Sequence, residues 1–143
     1  MVKKWILLLA LTVSSFGSAA AKDVAEQAAL VAVAQWNAVL KQKKLDELLR
    51  LYAKDALVLL PSGEVVKDPA AIRKFWQRLL AERSGRYALD LDKVLFAQGD
   101  TVISTLRWSN LDGGMKYQYE GVIYNVFKRQ PDGSWTAQVQ QWN

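Results

Sequence analysis

The chain has 143 residues, with 19 basic and 14 acidic side chains, 51% hydrophobic residues, and neither histidine nor cysteine. These absences exclude Ser-His and Cys-His nucleophile pairs, a zinc site of the usual ligands, and disulfides. We therefore expect one domain stabilised by core burial, without a metal or another cofactor, in which any catalysis would rest on carboxylate, Tyr, Lys or Arg side chains.

The first 21 residues have the features of a secretory signal peptide. "MVKK" is basic, "WILLLALTVSSF" is apolar, and "GSAAA" offers small residues for cleavage after Ala21. The alternative is a membrane anchor, but the apolar run is shorter than the roughly 20 residues that span a bilayer. We predict an exported protein, periplasmic or secreted, that consists of residues 22–143 and has no membrane contact after cleavage.

The charge of this mature chain is mild. Loss of Lys3 and Lys4 with the leader leaves 17 of the 19 basic residues against 14 acidic ones, a net charge of +3. The basic residues are scattered among acids, whereas a nucleic-acid surface collects them on one face. We therefore expect no nucleic-acid partner.

Two helices are predicted at the start of the mature chain. The first spans residues 23–42, because Asp23 and Glu26 have capping-box spacing and no helix breaker follows. The second spans residues 44–53 and is expected to end near Asp55. Its apolar side chains recur at helical spacing: Leu45, Leu48, Leu49 and Tyr52.

The run "ALVLL", residues 56–60, is predicted to be the first strand, with a type I turn after it from Pro61 to Gly63. A third helix is predicted over residues 68–83, because Asp68 can cap it and Pro69 suits the first helical position. Its apolar stripe has helical spacing: Ile72, Phe75, Trp76, Leu79 and Leu80.

From residue 86 onward the apolar pattern has period two. Short turn sequences separate four predicted strands of an antiparallel meander: residues 86–98, 101–110, 115–130 and 134–143. Gly121 is predicted to bend the third of them. Three helices and a curved antiparallel sheet predict an α+β fold of two layers, with the helices on the concave side.

This order of elements resembles the nuclear-transport-factor-2-like superfamily, in particular its small secreted SnoaL-like branch. The resemblance covers residues 22–143 and rests on "LYAKDALVLLPSG", "AIRKFW", "QGD", "EGVIYNVFKRQPDGSW" and the terminal "WN". It implies a cone: a curved antiparallel sheet of five to six strands on three N-terminal helices, with one apolar pocket. The same scaffold carries enzymes, binding proteins and dimerisation modules, so function depends on the site.

Steroid isomerases of that superfamily use an inward carboxylate as base, and a tyrosine and a second acid as an oxyanion hole. The matching positions here are Leu60 for the base, Trp36 for the tyrosine, and Tyr124 or Asn125 for the acid, and none carries the expected group. Their dehydratase relatives pair His with Asp, and an acid of the secreted branch is replaced here by Gln140. The resemblance therefore implies no turnover of a 5-ene-3-ketosteroid and assigns no catalytic residue.

The side chains left to face a pocket are aromatic, aliphatic or neutral and polar. The candidate ligand-binding residues are Trp36, Leu60, Trp76, Tyr119, Asn125, Phe127, Gln138 and Gln140. Trp36 and Trp76 also suit a plain core role, and Trp108 and Trp142 suit pocket wall, dimer contact or sheet packing equally. The resemblance favours an inward face for the odd-numbered residues 119–127.

These residues favour an exported protein that holds a small apolar or weakly polar molecule in an aromatic pocket. One alternative is an isomerase, cyclase or lyase with an unplaced Tyr or carboxylate; the other is a homodimeric partner-binding module with a closed core. A two-fold homodimer is also predicted, because the even-numbered Val122, Tyr124 and Val126 would form an outer apolar patch. Asp90 and Asp92 are expected to be solvated charges on an outer strand face.

Overall fold

The computed structural model describes the backbone of residues 16–81, 87–110 and 118–143, and the side chains of residues 23–81, 87–109 and 121–143. The elements, in chain order, are α1 (Phe16–Gln42), α2 (Leu45–Leu49), β1 (Tyr52–Leu59), β2 (Val65–Val66), α3 (Pro69–Ala81), β3 (Tyr87–Gln98), β4 (Thr101–Asn110), β5 (Gln118–Arg129) and β6 (Trp135–Trp142). None of the helices in these described ranges has both the length and the hydrophobicity of a membrane-spanning segment.

The strands form one curved, open sheet in the order β2-β1-β6-β5-β4-β3. Strands β3 to β6 are an antiparallel meander, as predicted, because each pairs with the next one along the chain. Strand β1 pairs in parallel with β6, which places the first long strand beside the last one. The predicted α+β class and the predicted number of strands are confirmed.

Helix α1 is longer than its capping signal indicated. It begins at Phe16, so Asp23 lies inside the helix and the predicted capping box does not start it. The segment directly before Asp23, "GSAAAK", is rich in alanine, which is the best helix former, and it extends the helix toward the N-terminus. The predicted cleavage site after Ala21 therefore lies within α1, and the leader remains a prediction.

Helix α2 is shorter than predicted, and the end placed near Asp55 is wrong. Its last turn closes where the backbone N–H of Leu51 donates to the carbonyl of Leu48 (3.1 Å). Tyr52 already belongs to β1, opposite Ala137 of β6. Asp55 consequently lies in a strand, because pairing with β6 competes with the local helical pattern.

The predicted turn after β1 is confirmed, and it leads into a strand that was not predicted. The N–H of Gly63 donates to the carbonyl of Leu60 (2.9 Å), and Gly63 has a φ of 86°, which glycine adopts without strain. Val65 then pairs with Leu59 in the antiparallel β1-β2 hairpin. Strand β2 has two residues, too few to show an alternating pattern.

Helix α3 has the predicted cap and the predicted buried stripe. The Asp68 carboxylate accepts a hydrogen bond from the N–H of Ala71 (2.8 Å), and Pro69 is the first helical residue. Ile72, Phe75 and Trp76 are buried. The helix is thus fixed at its start by a local signal and along its length by packing.

An amide side chain joins α1 to the free edge of the sheet. Asn37 donates through Nδ2 to the carbonyl of Leu89 (2.7 Å), and the N–H of Leu89 donates to Asn37 Oδ1 (2.8 Å). Because β3 is an edge strand, this pair satisfies backbone groups that no neighbouring strand can reach. Helix α1 is therefore held across the concave side of the sheet.

The predicted break at Gly121 is a β-bulge. Gly121 lies opposite Trp108, but the next pair is Tyr119 with Ser109, so one residue of β5 has no partner between them. A bulge of this kind bends its strand and increases the local twist. A side chain at Gly121 would also overlap the carbonyl oxygen of Asn143 and approach Trp108 Nε1 to 2.6 Å.

Candidate functional site

Side chains on the concave face of the sheet form three rows, because paired residues of neighbouring strands point to the same face. The first row is Val102, Phe127, Ala137 and Tyr52; the second is Ser104, Asn125, Gln140 and Val58; the third is Leu106, Ile123 and Trp142. Each of these residues is at most 8% exposed. The odd-numbered positions of β5 from Ile123 to Phe127 thus face inward.

The middle row carries neutral polar groups between two rows of mainly apolar side chains. We call Ser104, Asn125 and Gln140 the polar row. Asn125 is 0% exposed, yet neither its Oδ1 nor its Nδ2 has a hydrogen-bond partner among the described residues, and the same holds for Ser104 Oγ. Most buried polar groups in proteins are paired, so orphaned atoms of this kind require an explanation.

Aromatic side chains surround this row. Seven rings, here called the aromatic cluster, form a continuous series in which neighbouring ring centroids lie 5.0 to 6.1 Å apart. The members are Tyr52, Trp36, Trp76, Phe75, Trp142, Trp108 and Tyr87. Four of the seven pairs meet edge to face, an arrangement that ring quadrupoles prefer, and the other three are tilted. The cluster connects α1 and α3 to the inner face of the sheet.

Tyr52 connects the aromatic cluster to the polar row. Trp76 Nε1 donates to the Tyr52 hydroxyl (2.8 Å), and that hydroxyl donates to Gln140 Oε1 (2.5 Å). Burial raises the pKa of the Tyr52 phenol far above its ordinary value, and the Trp76 hydrogen bond opposes that shift only in part. Tyr52 is therefore a neutral donor at physiological pH.

Further buried polar atoms of the described residues lack partners. The indole Nε1 atoms of Trp36, Trp108 and Trp142, and the Ser109 hydroxyl, are buried and have no hydrogen-bond partner within the described part of the chain. Ser109 follows the inward Trp108 in β4 and so lies on the outer face, like Thr105; the interior therefore holds three orphaned indole donors, the Ser104 hydroxyl and the Asn125 amide. This inventory can orient a ligand by hydrogen bonds, but it holds no strong base.

Most of the predicted ligand-binding residues are brought together. Trp36, Trp76, Asn125, Phe127 and Gln140 all belong to the aromatic cluster or the inner rows and are at most 1% exposed. Leu60, just after β1, is half-buried against the core. The side chain of Tyr119 lies outside the described residues.

Gln138 was predicted to share the interior with Gln140, and this placement is wrong. Val126 pairs with Val139, whereas Phe127 pairs with Ala137, so Gln138 is the extra residue of a bulge in β6. Its Nε2 donates to Asp55 Oδ1 (3.0 Å) in an exposed position. That hydrogen bond is the main reason why the pKa of Asp55 lies below its ordinary value.

The sequence suggested that Asp92 is a solvated charge, but in the structure its carboxylate has side-chain partners. Its carboxylate accepts hydrogen bonds from Thr105 Oγ1 (3.0 Å) and Arg107 Nε (3.1 Å), and these partners, Thr105 first, lower its pKa. Thr105 lies on the outer face, opposite to the inward Ser104 and Leu106, so Asp92 is remote from the polar row. Asp90 is exposed. Neither aspartate belongs to the site.

Sequence reasoning missed two polar residues of the inner rows. Tyr52 was assigned to a helix, and Ser104 was not singled out. The alternation in "TVISTLRW" places Ser104 between Val102 and Leu106 on one strand face, so counting every second residue could have identified it.

Among the described residues, no three His, Cys, Asp or Glu side chains come together as metal ligands.

Solved structures of other proteins share this architecture. A protein with a cystatin-like fold from Nostoc punctiforme PCC 73102 has a TM-score of 0.61 and 14% identity, over 82% of this chain and 88% of that one. A nuclear-transport-factor-2-like protein from Pseudomonas putida KT2440 has a TM-score of 0.63 and 18% identity, over 88% and 87%. A candidate dehydratase of that family from Streptomyces avermitilis has a TM-score of 0.64 and 16% identity, over 85% and 96%.

Such low identities establish the fold alone, which is that of the nuclear-transport-factor-2-like superfamily. Within it, residues 33–138 match the family model of the SnoaL-like domain, so the chain belongs to the SnoaL-like family. The inferred resemblance to the SnoaL-like branch of this superfamily is thereby confirmed, and its secreted character stays a prediction. No curated protein matches the chain.

Proposed function

We propose that this protein binds a small, largely apolar molecule in the interior of its cone. The observation that carries the proposal is Asn125, whose two amide atoms are buried without a partner in the described structure. An unsatisfied buried polar group costs about 1 to 3 kcal/mol. A ligand that hydrogen-bonds to Asn125 and contacts the aromatic cluster would recover that free energy and add the burial of its own apolar surface.

Catalysis is the second candidate, supported by the likeness to a candidate dehydratase from Streptomyces avermitilis. The inner rows and the aromatic cluster contain no carboxylate, lysine or arginine, and their titratable members are Tyr52 and Tyr87. Because the pKa of Tyr52 is raised, that phenol would donate a hydrogen bond rather than accept a proton. The interior as described therefore favours binding over isomerase or lyase chemistry.

Export through the predicted leader remains part of the proposal.

Titration with the neutral dye Nile red tests binding. We expect one dye molecule per chain and quenching of tryptophan emission, because a ligand in the interior contacts indole rings of the cluster. A raised pKa keeps Tyr52 protonated, so the dissociation constant should change less than about twofold between about pH 5 and 9. The control variant Trp135→Phe removes an indole outside the cluster and should preserve the quenching. No saturable binding by the wild type would contradict the proposal.

We further propose that the outer sheet face is buried in a two-fold homodimer. An apolar row crosses this face over five strands, in the order Phe96, Ile103, Val126, Val139 and Leu57. Tyr124 lies beside that row and is 45% exposed. Burial of this apolar surface would favour self-association.

Sedimentation at tens of micromolar tests the dimer. Wild-type protein should sediment as a dimer and Tyr124→Glu as a monomer, because a carboxylate in the contact would be desolvated without a partner. Tyr124→Phe keeps the ring and should remain dimeric. A monomeric wild type would refute this use of the outer face.

A further inference from the structure

The hydrogen bonds of Tyr52 fix the orientation of a neighbouring amide. An indole N–H can only donate, so the Tyr52 oxygen accepts from Trp76 and its O–H must donate to Gln140. The accepting atom is Gln140 Oε1, which leaves the NH2 group on the opposite side of the amide carbon. Gln140 is therefore held as an oriented member of the polar row.

The other two members of the row follow at regular intervals. Gln140 lies opposite Asn125, and Asn125 lies opposite Ser104. Adjacent strands are about 4.8 Å apart, so the row extends over roughly 10 Å. One end is anchored by Tyr52, while Asn125 and Ser104 keep their hydrogen-bonding capacity unused within the described structure. The unused groups are thus adjacent and point into the same interior.

The row has no charge to offer a ligand. Its members are a hydroxyl and two amides, the flanking rows are apolar apart from the neutral Tyr52 and the indole of Trp142, and the aromatic cluster contributes indoles and phenols. A carboxylate or ammonium group buried here would meet no counter-ion among the residues of the inner rows and the aromatic cluster, and the effective cost of burying an ion is several kcal/mol. A carbonyl oxygen needs only neutral donors, which Asn125 Nδ2 and Ser104 Oγ supply.

We propose that the polar row selects ligands by a neutral carbonyl oxygen at one end of a flat apolar body, and that it discriminates against carboxylates and amines of the same shape. This inference rests on the proposed binding function and adds the chemical class of the ligand. The apolar body would pack against rings of the aromatic cluster.

Three probes of one shape test this selection by displacement of Nile red at neutral pH: 2-acetylnaphthalene, naphthalene and 2-naphthoate. The ketone should bind at least about tenfold more tightly than naphthalene, the equivalent of one charge-neutral hydrogen bond of about 1.4 kcal/mol. It should exceed 2-naphthoate by at least as much, because the carboxylate would be desolvated without a counter-ion. In Asn125→Leu, the preference for the ketone over naphthalene should fall to about twofold or less.

Ser104→Ala is the milder variant; it removes one hydroxyl from a fully buried position and should lower the preference for the ketone by about threefold. If the ketone binds no better than naphthalene while both displace the dye, the selection is refuted and the binding function stands. Tightest binding by 2-naphthoate would refute the requirement for a neutral group. If Nile red itself fails to bind, the proposed function and this inference are both refuted.

Discussion

Replacement of Trp36 by alanine is expected to lower the free energy of unfolding by about 3 to 5 kcal/mol. The ring is 1% exposed and packs edge to face on Tyr52, with centroids 5.0 Å apart, and against Trp76 at 6.1 Å. Its removal would leave a large cavity where α1 crosses the sheet, because the surrounding rings are held by other contacts. Chemical denaturation measures the loss directly.

Trp36→Phe is the matched control for that variant. Phenylalanine keeps an aromatic ring in the cluster and removes the indole N–H, which has no partner among the described residues. Its cost should therefore be well below that of alanine. A loss under about 1 kcal/mol for Trp36→Ala would show that the ring does not support the fold.

Gly121→Ala is expected to destabilise the fold by about 1 to 3 kcal/mol, the usual range for overpacking. The added methyl group would overlap the backbone carbonyl of Asn143, and it would lie 2.6 Å from Trp108 Nε1. Backbone atoms cannot move aside as a flexible side chain does, so β5, the chain end after β6, or the Trp108 ring must shift. Denaturation gives the stability, and tryptophan emission reports the displacement of Trp108.

Gly133→Ala separates this crowding from the strain of losing a glycine. Gly133 has a φ of 85° and no atom within 4 Å of an added Cβ, so alanine there meets backbone strain alone. It should destabilise the protein without altering the Trp108 environment. Unchanged stability and emission in Gly121→Ala would contradict the close approach seen at the bulge.

The parts of the fold that follow from local signals were predictable. Asp68 and Pro69 mark the start of α3, and period-two alternation with short turns marks the meander. The end of α2 was not predictable in this way, because Tyr52 enters β1 through parallel pairing with Ala137, far along the chain. Non-local pairing of this sort overrides the helical spacing that the leucines and Tyr52 share.

The same distinction applies to the site. Counting alternate residues along β5 put Asn125 and Phe127 on one face, and the family resemblance favoured the inward side for that face, where the structure has them. Counting alternate residues fails for Gln138, because a bulge shifts the alternation within β6. The sequence "TAQVQQW" contains no glycine that would have indicated this bulge. The hydrogen bonds from Trp76 through Tyr52 to Gln140 connect three separate elements, so only the folded chain shows them.

Whether the interior is a binding site or a closed core is tested most directly by unfolding wild type and Asn125→Leu, each with and without 2-acetylnaphthalene. Without ligand, the variant should stay within about 1 kcal/mol of the wild type or exceed it, because leucine replaces two polar atoms that have no partner in the described structure. Ligand at about one hundred times its dissociation constant should stabilise the wild type by about 2.7 kcal/mol, and at that same concentration the variant by clearly less. A variant that loses more than about 2 kcal/mol without ligand, together with a wild type that gains no stability from it, would show a closed core and contradict the binding function.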